Sequence, residues 1–474
     1  MAGVFLPAVV LLLVAAPLRA QYAQYGGEHA VSVETLFSSG DGLPFWLLHN
    51  QSGKYGNPGD AVQVLELQSR NRLEDVFGKG VDLEFGADFV APHGEDSDVH
   101  FNELYAKARF WKLFKLEGGW FREERLLDGL SSSNTNLDRT LNARPYPKVK
   151  IATDGFVNPF SASDRITFRI EYDEGLLGDD RVVKGAHLHH KSFYLGWDVN
   201  DEYRVTVGLD HFVMWGGRHP VYGELPGFDS YLRYVLGRAG DDNFAPDDQA
   251  NIAGNQLGSY NLRLDVDKDA YALAFYASHP FEDRSGMRGD NWRDNLLGAS
   301  FRRKKEGLLE TAVYEFMNTR NQSGAIHDLS NHLNGNDNYF NHGVYSSGYT
   351  YMGYTLASPL FSPLTTSGGF VTGIGNNRVL MHHVGLLGSV GEHMDWDARL
   401  TFTRNLGRYA APYAPPEDQF SSYVRLRYSS PRLPVELAVA LAGDVGALYP
   451  NRFGAMVSVS KTFRTGGAKQ AFRD

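Results

Sequence analysis

Period-two alternation of apolar and polar residues dominates the chain. In residues 81–89, apolar side chains alternate with Asp82, Glu84, Gly86 and Asp88. The same alternation recurs in further segments: 165–172, 202–209, 260–266, 394–403 and 435–441. Because successive side chains of a strand point to opposite faces, each segment is predicted to be a β-strand with one apolar and one polar face.

Weaker patterns predict more strands, which brings the total to about 16 to 20. They cover 29–37, 61–69, 102–121, 186–199, 270–278, 296–303, 308–317, 349–357, 378–390 and 422–430. Short joins such as Asn200–Asp201 alternate with long ones at 121–150, 211–259 and 318–348. This arrangement predicts an all-β fold: an antiparallel up-and-down barrel with tight turns at one end and large loops at the other. A few short helices are expected in loops, at 134–141 and within 241–257, and 228–236 suits either strand or helix.

The distribution of charge favours a transmembrane barrel over a soluble all-β protein. The polar faces carry charges of both signs, as expected where ion pairs fill a lumen: Asp82, Glu84, Arg165, Arg169, Arg263, Asp265, Asp395 and Arg399. Aromatic residues recur near strand ends, where an interfacial girdle would lie: Phe89, Tyr172, Tyr203, Phe402 and Tyr428. Closure is also expected, because an open sheet edge in lipid leaves backbone groups unpaired.

Both ends of the chain suit export to an outer membrane. Residues 4–16 are almost wholly apolar and Leu18-Arg19-Ala20 follows, which predicts a signal peptide over 1–20. Residues 21–474 are then predicted to form one barrel domain. The last strand places Phe453, Val457, Val459 and Phe463 on one face. An amphipathic final strand with an aromatic residue near its end is what outer-membrane assembly machinery would recognise, although an eleven-residue tail, 464–474, follows.

Composition narrows the possible functions. The 474 residues include no cysteine, which excludes disulfides and Cys-ligated metal sites. A net charge of −10 argues against nucleic acid as a partner. The mean hydropathy of −0.34 is typical of a soluble protein. It is also compatible with a membrane barrel, because only every second strand residue needs to be apolar. The 51 glycines and the 29 Phe, 25 Tyr and 7 Trp residues suit turns and girdles.

Several segments resemble, in the same order, the Wzi-like capsule assembly proteins of the Bacteroidetes type. They are 37–47 (FSSGDGLPFWL), 214–217 (MWGG), 231–233 (YLR), 255–260 (NQLGSY), 279–283 (HPFED), 336–340 (NDNYF) and 376–378 (NNR) with 382–383 (HH). The resemblance spans nearly the whole mature chain. It implies an outer-membrane barrel of about 18 strands. It also implies a non-catalytic lectin that holds capsular polysaccharide at the cell surface, with a sugar that differs between members.

A sugar site needs flat aromatic faces and planar polar side chains. Two long segments, 215–233 and 336–351, supply both, and the 376–378 motif adds planar polar side chains. The candidate polysaccharide-binding residues are Trp215, Arg218, Tyr222, Tyr231, Arg233, Asn336, Asp337, Asn338, Tyr339, Asn377 and Arg378. Taken singly, each of these residues also suits a turn or the aromatic girdle. We expect a monomer with surface polysaccharide, membrane lipid and the assembly machinery as its partners.

Three other hypotheses are weaker. A metal site is not expected, because His187 and His189 would share a strand face that His190 does not. An outer-membrane hydrolase would need pairs such as Asp210–His211 or His382–Ser389 brought together. A diffusion channel shares the fold but needs an open lumen, whereas bulky residues such as Tyr194 and Trp111 predict a filled one. No cofactor is expected.

Overall fold

The computed structural model describes residues 24–56, 59–76, 80–95, 98–158, 164–250, 252–325, 335–366 and 368–466. Within these residues, 18 strands form one closed antiparallel sheet. We number them β1 to β18: Gln24–Ser38, Ala61–Glu74, Val81–His93, His100–Phe110, Phe114–Trp120, Pro147–Thr153, Ile166–Leu177, Ala186–Asp198, Tyr203–Trp215, Asn255–Asp267, Tyr271–Phe281, Asn295–Arg303, Thr311–Asn318, Val379–Val390, Met394–Gly407, Pro412–Tyr428, Glu436–Gly446 and Arg452–Gly466. The predicted signal peptide lies outside the described residues.

The barrel closes because β1 pairs with both β2 and β18. Its register runs from Gln24 opposite Glu74 on one side and from Gly26 opposite Gly466 on the other. Every other strand pairs with its neighbours in the chain, which confirms the predicted up-and-down topology. Both ends of the described chain lie at the end with short turns, here called the turn end. The opposite, long-loop end carries the connections 39–60, 121–146, 216–254 and 319–378.

The remaining elements are small and lie in the loops. The helices are Phe45–Leu48, Tyr231–Val235, Pro246–Ala250 and Arg284–Met287, with single 3₁₀ turns at Leu127–Gly129 and Phe228–Ser230. Three short hairpins pair Arg218–His219 with Gly223–Glu224, Thr350–Tyr351 with Tyr354–Thr355, and Ser362–Thr365 with Val371–Asn376. Across the described ranges, no helix is both long and apolar enough to cross a membrane.

The two faces of the sheet are as the alternation predicts. Apolar residues at every second position point outward and are exposed, as in the series Phe193, Leu195 and Trp197 on β8. Polar residues of the intervening positions point into the barrel, where Asp173, His190 and Asp210 are buried. The final strand also follows the prediction, since Phe453, Val457, Val459 and Phe463 are all exposed outward.

Several local predictions are wrong. The predicted strand 102–121 is two strands, β4 and β5, because Trp111 and Lys112 adopt positive φ angles that turn the chain. Trp111 is therefore 69% exposed at the turn end and does not fill the lumen. Residues 147–150, assigned to the long join 121–150, belong to β6. The strand predicted over 349–357 is a two-residue hairpin inside the barrel, and 134–141 contains no helix.

Candidate functional site

Loop 39–60 folds from the long-loop end into the lumen. Its short helix buries Phe45, Trp46 and Leu47. The Trp46 indole N–H donates to Thr401 Oγ1 at 3.0 Å, and the backbone N–H of Phe45 donates to Asp444 Oδ2 at 2.9 Å. Both acceptors lie on lumen-facing strand positions, so the loop is attached to the inner wall.

Loop 121–146 crosses the same space and is held by Glu315 of β13. The Glu315 carboxylate accepts hydrogen bonds from Ser131 Oγ (2.5 Å), Ser132 N (2.7 Å) and Ser132 Oγ (2.5 Å). Tyr276 on the neighbouring wall donates to it at 2.7 Å. His383 Nε2 donates to the Leu130 carbonyl at 2.7 Å. A buried carboxylate with four donors is well satisfied, and it fixes the loop inside the barrel.

Loop 319–378 completes the filling. Tyr339, Phe340, Tyr345, Tyr349 and Phe361 are each at most 2% exposed. They form one apolar cluster with lumen-facing side chains of the strands, and the Tyr349 ring lies 5.8 Å from that of Phe212. The three loops together are here called the plug. The plug confirms the predicted filled interior at the long-loop end.

Between the plug and the turn end lies a cavity of about 930 Å³. Its wall carries ion pairs of both signs: Arg70–Glu84 (2.9 Å), Lys107–Glu117 (3.2 Å) and Arg263–Asp265 (2.7 Å). Tyr194 lines it, as predicted for a lumen residue. Charged residues on the polar faces therefore form ion pairs with each other on the lumen side of the wall.

A second, smaller cavity of about 470 Å³ opens among the loops at the long-loop end and is here called the groove. It is lined by Ile252, Gly254, Asn255, Gln256, Glu282, Asp283, Asp337, Asn338, Asn341, His342, Gly343, Ser346, Thr372 and Arg408. Carboxylates, amides, an imidazole and a guanidinium supply donors and acceptors in several directions. Such a set suits a polar ligand rich in hydroxyl groups.

Burial and neighbouring acids raise the pKa values of groove carboxyls. Burial raises the pKa of Asp337 to about 7, the nearby Asp283 charge adds to this, and a hydrogen bond from Ser323 Oγ (2.6 Å) opposes it. Burial raises the pKa of Glu282 well above its usual range, although the Phe340 backbone N–H donates to it. Near neutral pH, Asp337 therefore exchanges between a hydrogen-bond donor and an anion.

Six of the predicted binding residues lie at or beside the groove. Asp337 and Asn338 line it directly, and Asn336 is exposed next to them. Tyr339 is fully buried, with its hydroxyl donating to Asp294 at 3.0 Å. Asn377 is also buried, and its amide donates to Asn338 Oδ1 and the Tyr339 carbonyl, both at 2.8 Å. The Arg378 guanidinium lies 3.7 Å from the centre of the Tyr409 ring.

The other five lie elsewhere, Trp215 at the end of β9 and the rest in loop 216–254. Trp215 is 1% exposed and packs against the rings of His187 and Tyr231. Tyr231 hydrogen-bonds Glu174, and Arg233 pairs with Asp241 at 3.1 Å. In the hairpin of this loop, Arg218 lies 3.6 Å from Glu224, and Tyr222 stacks on His219. These five residues are absent from the groove lining.

Sequence reasoning missed part of the groove. Glu282, Asp283, Thr372 and Arg408 line it but were not candidates. The 279–283 motif pointed toward the first two, because it was among the segments that resemble the family. Arg408 lies in the short join between β15 and β16 and carries no such signal. Only the assembly of four separate loops brings these side chains together.

The predicted catalytic pairs are not assembled. Asp210 is a buried lumen residue, whereas the next residue along the strand, His211, points to the outer face. His382 and Ser389 likewise occupy opposite faces of β14, and Ser389 donates to Glu310 at 2.6 Å. Among the described residues, no group of three His, Asp or Glu side chains is arranged to hold a metal ion.

No known protein-family model matches this chain, and no curated protein does. Among solved structures, it is similar to Wzi of Escherichia coli, described as an outer-membrane protein involved in group 1 capsule assembly and as a carbohydrate-binding β-barrel. The TM-score is 0.57 at 14% identity, over 96% of this chain and 88% of Wzi. It is also similar to OccK5 (OpdH) and OccK3 (OpdO) of Pseudomonas aeruginosa, each with a TM-score of 0.50. OccK5 is 9% identical over 94% of this chain and 99% of its own length. OccK3 is 11% identical over 94% of this chain and 98% of its own length. The resemblance noted in the sequence is thus confirmed at the level of the fold, and the chain has the fold of an 18-stranded outer-membrane β-barrel.

Proposed function

We propose that this protein binds capsular or another surface polysaccharide at the long-loop end and anchors it at the cell surface, without catalysis. In outer-membrane barrels, the long loops face the cell exterior. The groove lies at that end, and its amide, carboxyl, imidazole and guanidinium groups match the donors and acceptors of sugar hydroxyls. The groove is the single observation that carries the proposal. The structural likeness to Wzi, described as carbohydrate-binding, supports it.

The proposal includes export and assembly. Residues 1–20 act as a cleaved signal peptide, and residues 21–474 form the barrel domain. The outward aromatic and aliphatic side chains of β18 supply the strand recognised by the assembly machinery. The chain then lies in the outer membrane as a monomer, in contact with lipid through its exposed apolar face.

A diffusion channel is the second candidate, since barrels of 16 to 18 strands can enclose an aqueous channel. The cavity of about 930 Å³ at the turn end favours it. The plug opposes it, because three loops fill the lumen at the other end. Conductance in planar bilayers separates the two: we expect no large steady current from the refolded barrel, and such a current would favour the channel.

The test of the main proposal is a glycan array, followed by titration of the refolded barrel with surface polysaccharide purified from the source cells. In the double variant Asp337→Asn/Asn338→Ala, we expect affinity to fall about thirtyfold, since two lost hydrogen bonds of about 1 kcal/mol each amount to about 2 kcal/mol. The matched control is Arg218→Ala/Tyr222→Ala, which also alters two predicted residues but lies outside the groove lining. Trp215 and Tyr339 are unsuitable, because their burial makes any substitution a packing defect.

Three results would count against this function. They are equal affinities for the two double variants, no binding by the wild-type barrel, and retention of normal capsule on cells that lack the protein. Electrophoretic mobility before and after heating shows whether each variant is folded, so that loss of binding is not confused with loss of structure.

A further inference from the structure

Loop 216–254 lies on the outside of the barrel wall. On β9, Val207 and Leu209 point outward and are 46% and 37% exposed. Val213 and Trp215 belong to the same face, because residues two apart in a strand share a face, yet they are 0% and 1% exposed. Tyr234 and Phe244 of the loop cover them. The loop has therefore folded down over the outer wall of the barrel.

The wall directly below this loop is apolar. One row of outward residues runs across four paired strands, β7 to β10, and is 37–50% exposed: Ile170, Phe193, Leu209 and Tyr260. An exposed apolar row on the outside of a membrane barrel is part of the surface that faces lipid. We call this row the belt.

Toward the long-loop end, the outward positions become polar. The next outward residues on β7 to β9 include Tyr172, Glu174, His187, His189, Lys191 and His211. Polar and charged groups on a lipid-facing wall are unfavourable unless they are paired and covered. Here they are covered by the 3₁₀ turn and helix of residues 228–235.

The cover is held by polar contacts with its inner face. The Glu174 carboxylate accepts hydrogen bonds from Tyr231 Oη and from Trp215 Nε1 (3.2 Å), and it pairs with His189 Nδ1 at 2.6 Å. Lys191 Nζ donates to the Val235 carbonyl. The loop thus supplies hydrogen-bond partners for Glu174 and Lys191 on this stretch of wall.

The other face of the cover is apolar and exposed. Phe228, Leu232 and Leu236 are 75%, 69% and 57% exposed. Spaced four residues apart in a helical segment, they lie on one side. Phe228 lies 5.0 Å from Trp215 at the end of β9, measured between ring centres, whereas Val235 contacts Lys191 next to the belt. The apolar stripe therefore runs down the wall toward the belt and continues it.

We propose that residues 228–236 lie within the outer leaflet of the membrane, where Phe228, Leu232 and Leu236 contact lipid acyl chains. Continuity with the belt identifies the occupant as lipid. The segment extends the lipid-facing surface over a stretch of wall whose own side chains are polar. This inference requires a barrel in a membrane but does not depend on what the groove binds.

The absence of cysteine in the chain permits a direct test with single spin labels. The variants are Leu232→Cys in the stripe, Phe193→Cys in the belt and Asp242→Cys at an exposed polar position of the same loop. Each labelled barrel is refolded into phospholipid vesicles, and its collision rates with oxygen and with a water-soluble nickel chelate are measured by power saturation. All three side chains are exposed, so labelling leaves the packing intact.

We expect the label at position 232 to behave like that at 193, with oxygen collisions exceeding nickel collisions. The label at 242 should show the reverse. Preferential collision with nickel at 232 would place the segment in water and overturn the proposal. Low accessibility to both reagents at 232 would mean that a second copy of the chain covers the stripe, which would also overturn it.

Discussion

Two carboxylates of the barrel wall, Glu315 and Glu174, hold loops that fold in opposite directions. Glu315 points into the lumen, is 0% exposed and receives hydrogen bonds from Ser131, Ser132 and Tyr276. Glu174 points outward, its side chain is 29% exposed, and it receives hydrogen bonds from Trp215 and Tyr231. Each loop donates hydrogen bonds to a carboxylate on its own side of the wall.

The two loops differ in what else they bury. The plug is surrounded by the barrel wall, so most of its apolar side chains are buried, and its polar residues face the cavity or the groove. The outer loop has a wall on one side only, and its other side is an apolar stripe. The comparison teaches that each loop lies on the side of the wall where a carboxylate accepts its hydrogen bonds. The face of loop 216–254 that points away from the wall is the apolar stripe, which suits contact with lipid.

Removal of the inner carboxylate should have the largest effect. In Glu315→Ala, the buried donors of Ser131, Ser132 and Tyr276 lose their acceptor, which should lower the free energy of unfolding by ~3 kcal/mol or more. We also expect loop 121–146 to detach and the conductance in planar bilayers to rise. Denaturant titration and bilayer recordings measure the two effects.

The control for this variant is Ser278→Ala. Ser278 is equally buried on the neighbouring lumen wall, and its hydroxyl makes no hydrogen bond within the described residues. Wild-type stability and conductance in Glu315→Ala would show that the inner carboxylate does not hold the plug.

Removal of the outer carboxylate should have a smaller effect. Glu174→Ala leaves Tyr231 and Trp215 without their acceptor, but partial exposure limits the loss to about 1–3 kcal/mol. We expect faster tryptic cleavage within 216–254 in intact vesicles, because the loop separates from the wall. Leu176→Ala, on the same face of β7, should cleave at the wild-type rate. Equal cleavage rates for Glu174→Ala and Leu176→Ala would show that Glu174 does not hold the outer loop to the wall.

The buried acid of the groove should make stability depend on pH. The folded-state pKa of Asp337 is raised to about 7, so the folded protein holds a proton there that the unfolded chain releases near pH 4. Its contribution to stability is thus fully present below about pH 4 and is lost as pH rises through about 7. The Tm of Asp337→Asn minus the Tm of the wild type should therefore increase from pH 5 to pH 8. A constant difference in Tm across that interval would contradict the burial argument.

The smallest effect is expected at Tyr222, a predicted sugar-binding residue in the outer loop. Its side chain is 47% exposed and stacks on His219. Tyr222→Ala should change the free energy of unfolding by less than about 0.5 kcal/mol and leave polysaccharide affinity unchanged. Isothermal titration measures the affinity. A large loss of affinity would move the sugar site from the groove to the outer loop.

The candidate site was predicted only in part, for a physical reason. Asp337 and Asn338 carry a local signal, an Asn- and Asp-rich turn, and they do line the groove. Trp215 and Tyr231 carry the same kind of signal, an aromatic cluster in a segment predicted as a long loop, yet Trp215 lies on the outer wall and Tyr231 covers it. Residue type shows that a side chain can contact a sugar. Whether it faces a groove or a wall depends on how the loop folds.

The sequence by itself determined most of the strands, their two faces, the alternation of short and long connections, and hence a membrane barrel. These features follow from local periodicity, because side-chain direction in a strand repeats every two residues. Only the tertiary structure decided that three loops enter the lumen, that 216–254 lies outside it, and that Arg408 meets Asp337 in one groove. Those outcomes depend on contacts between residues far apart in the chain, such as Ser131 with Glu315 and Tyr231 with Glu174. No local pattern encodes them, since each depends on partners that only the folded chain brings together.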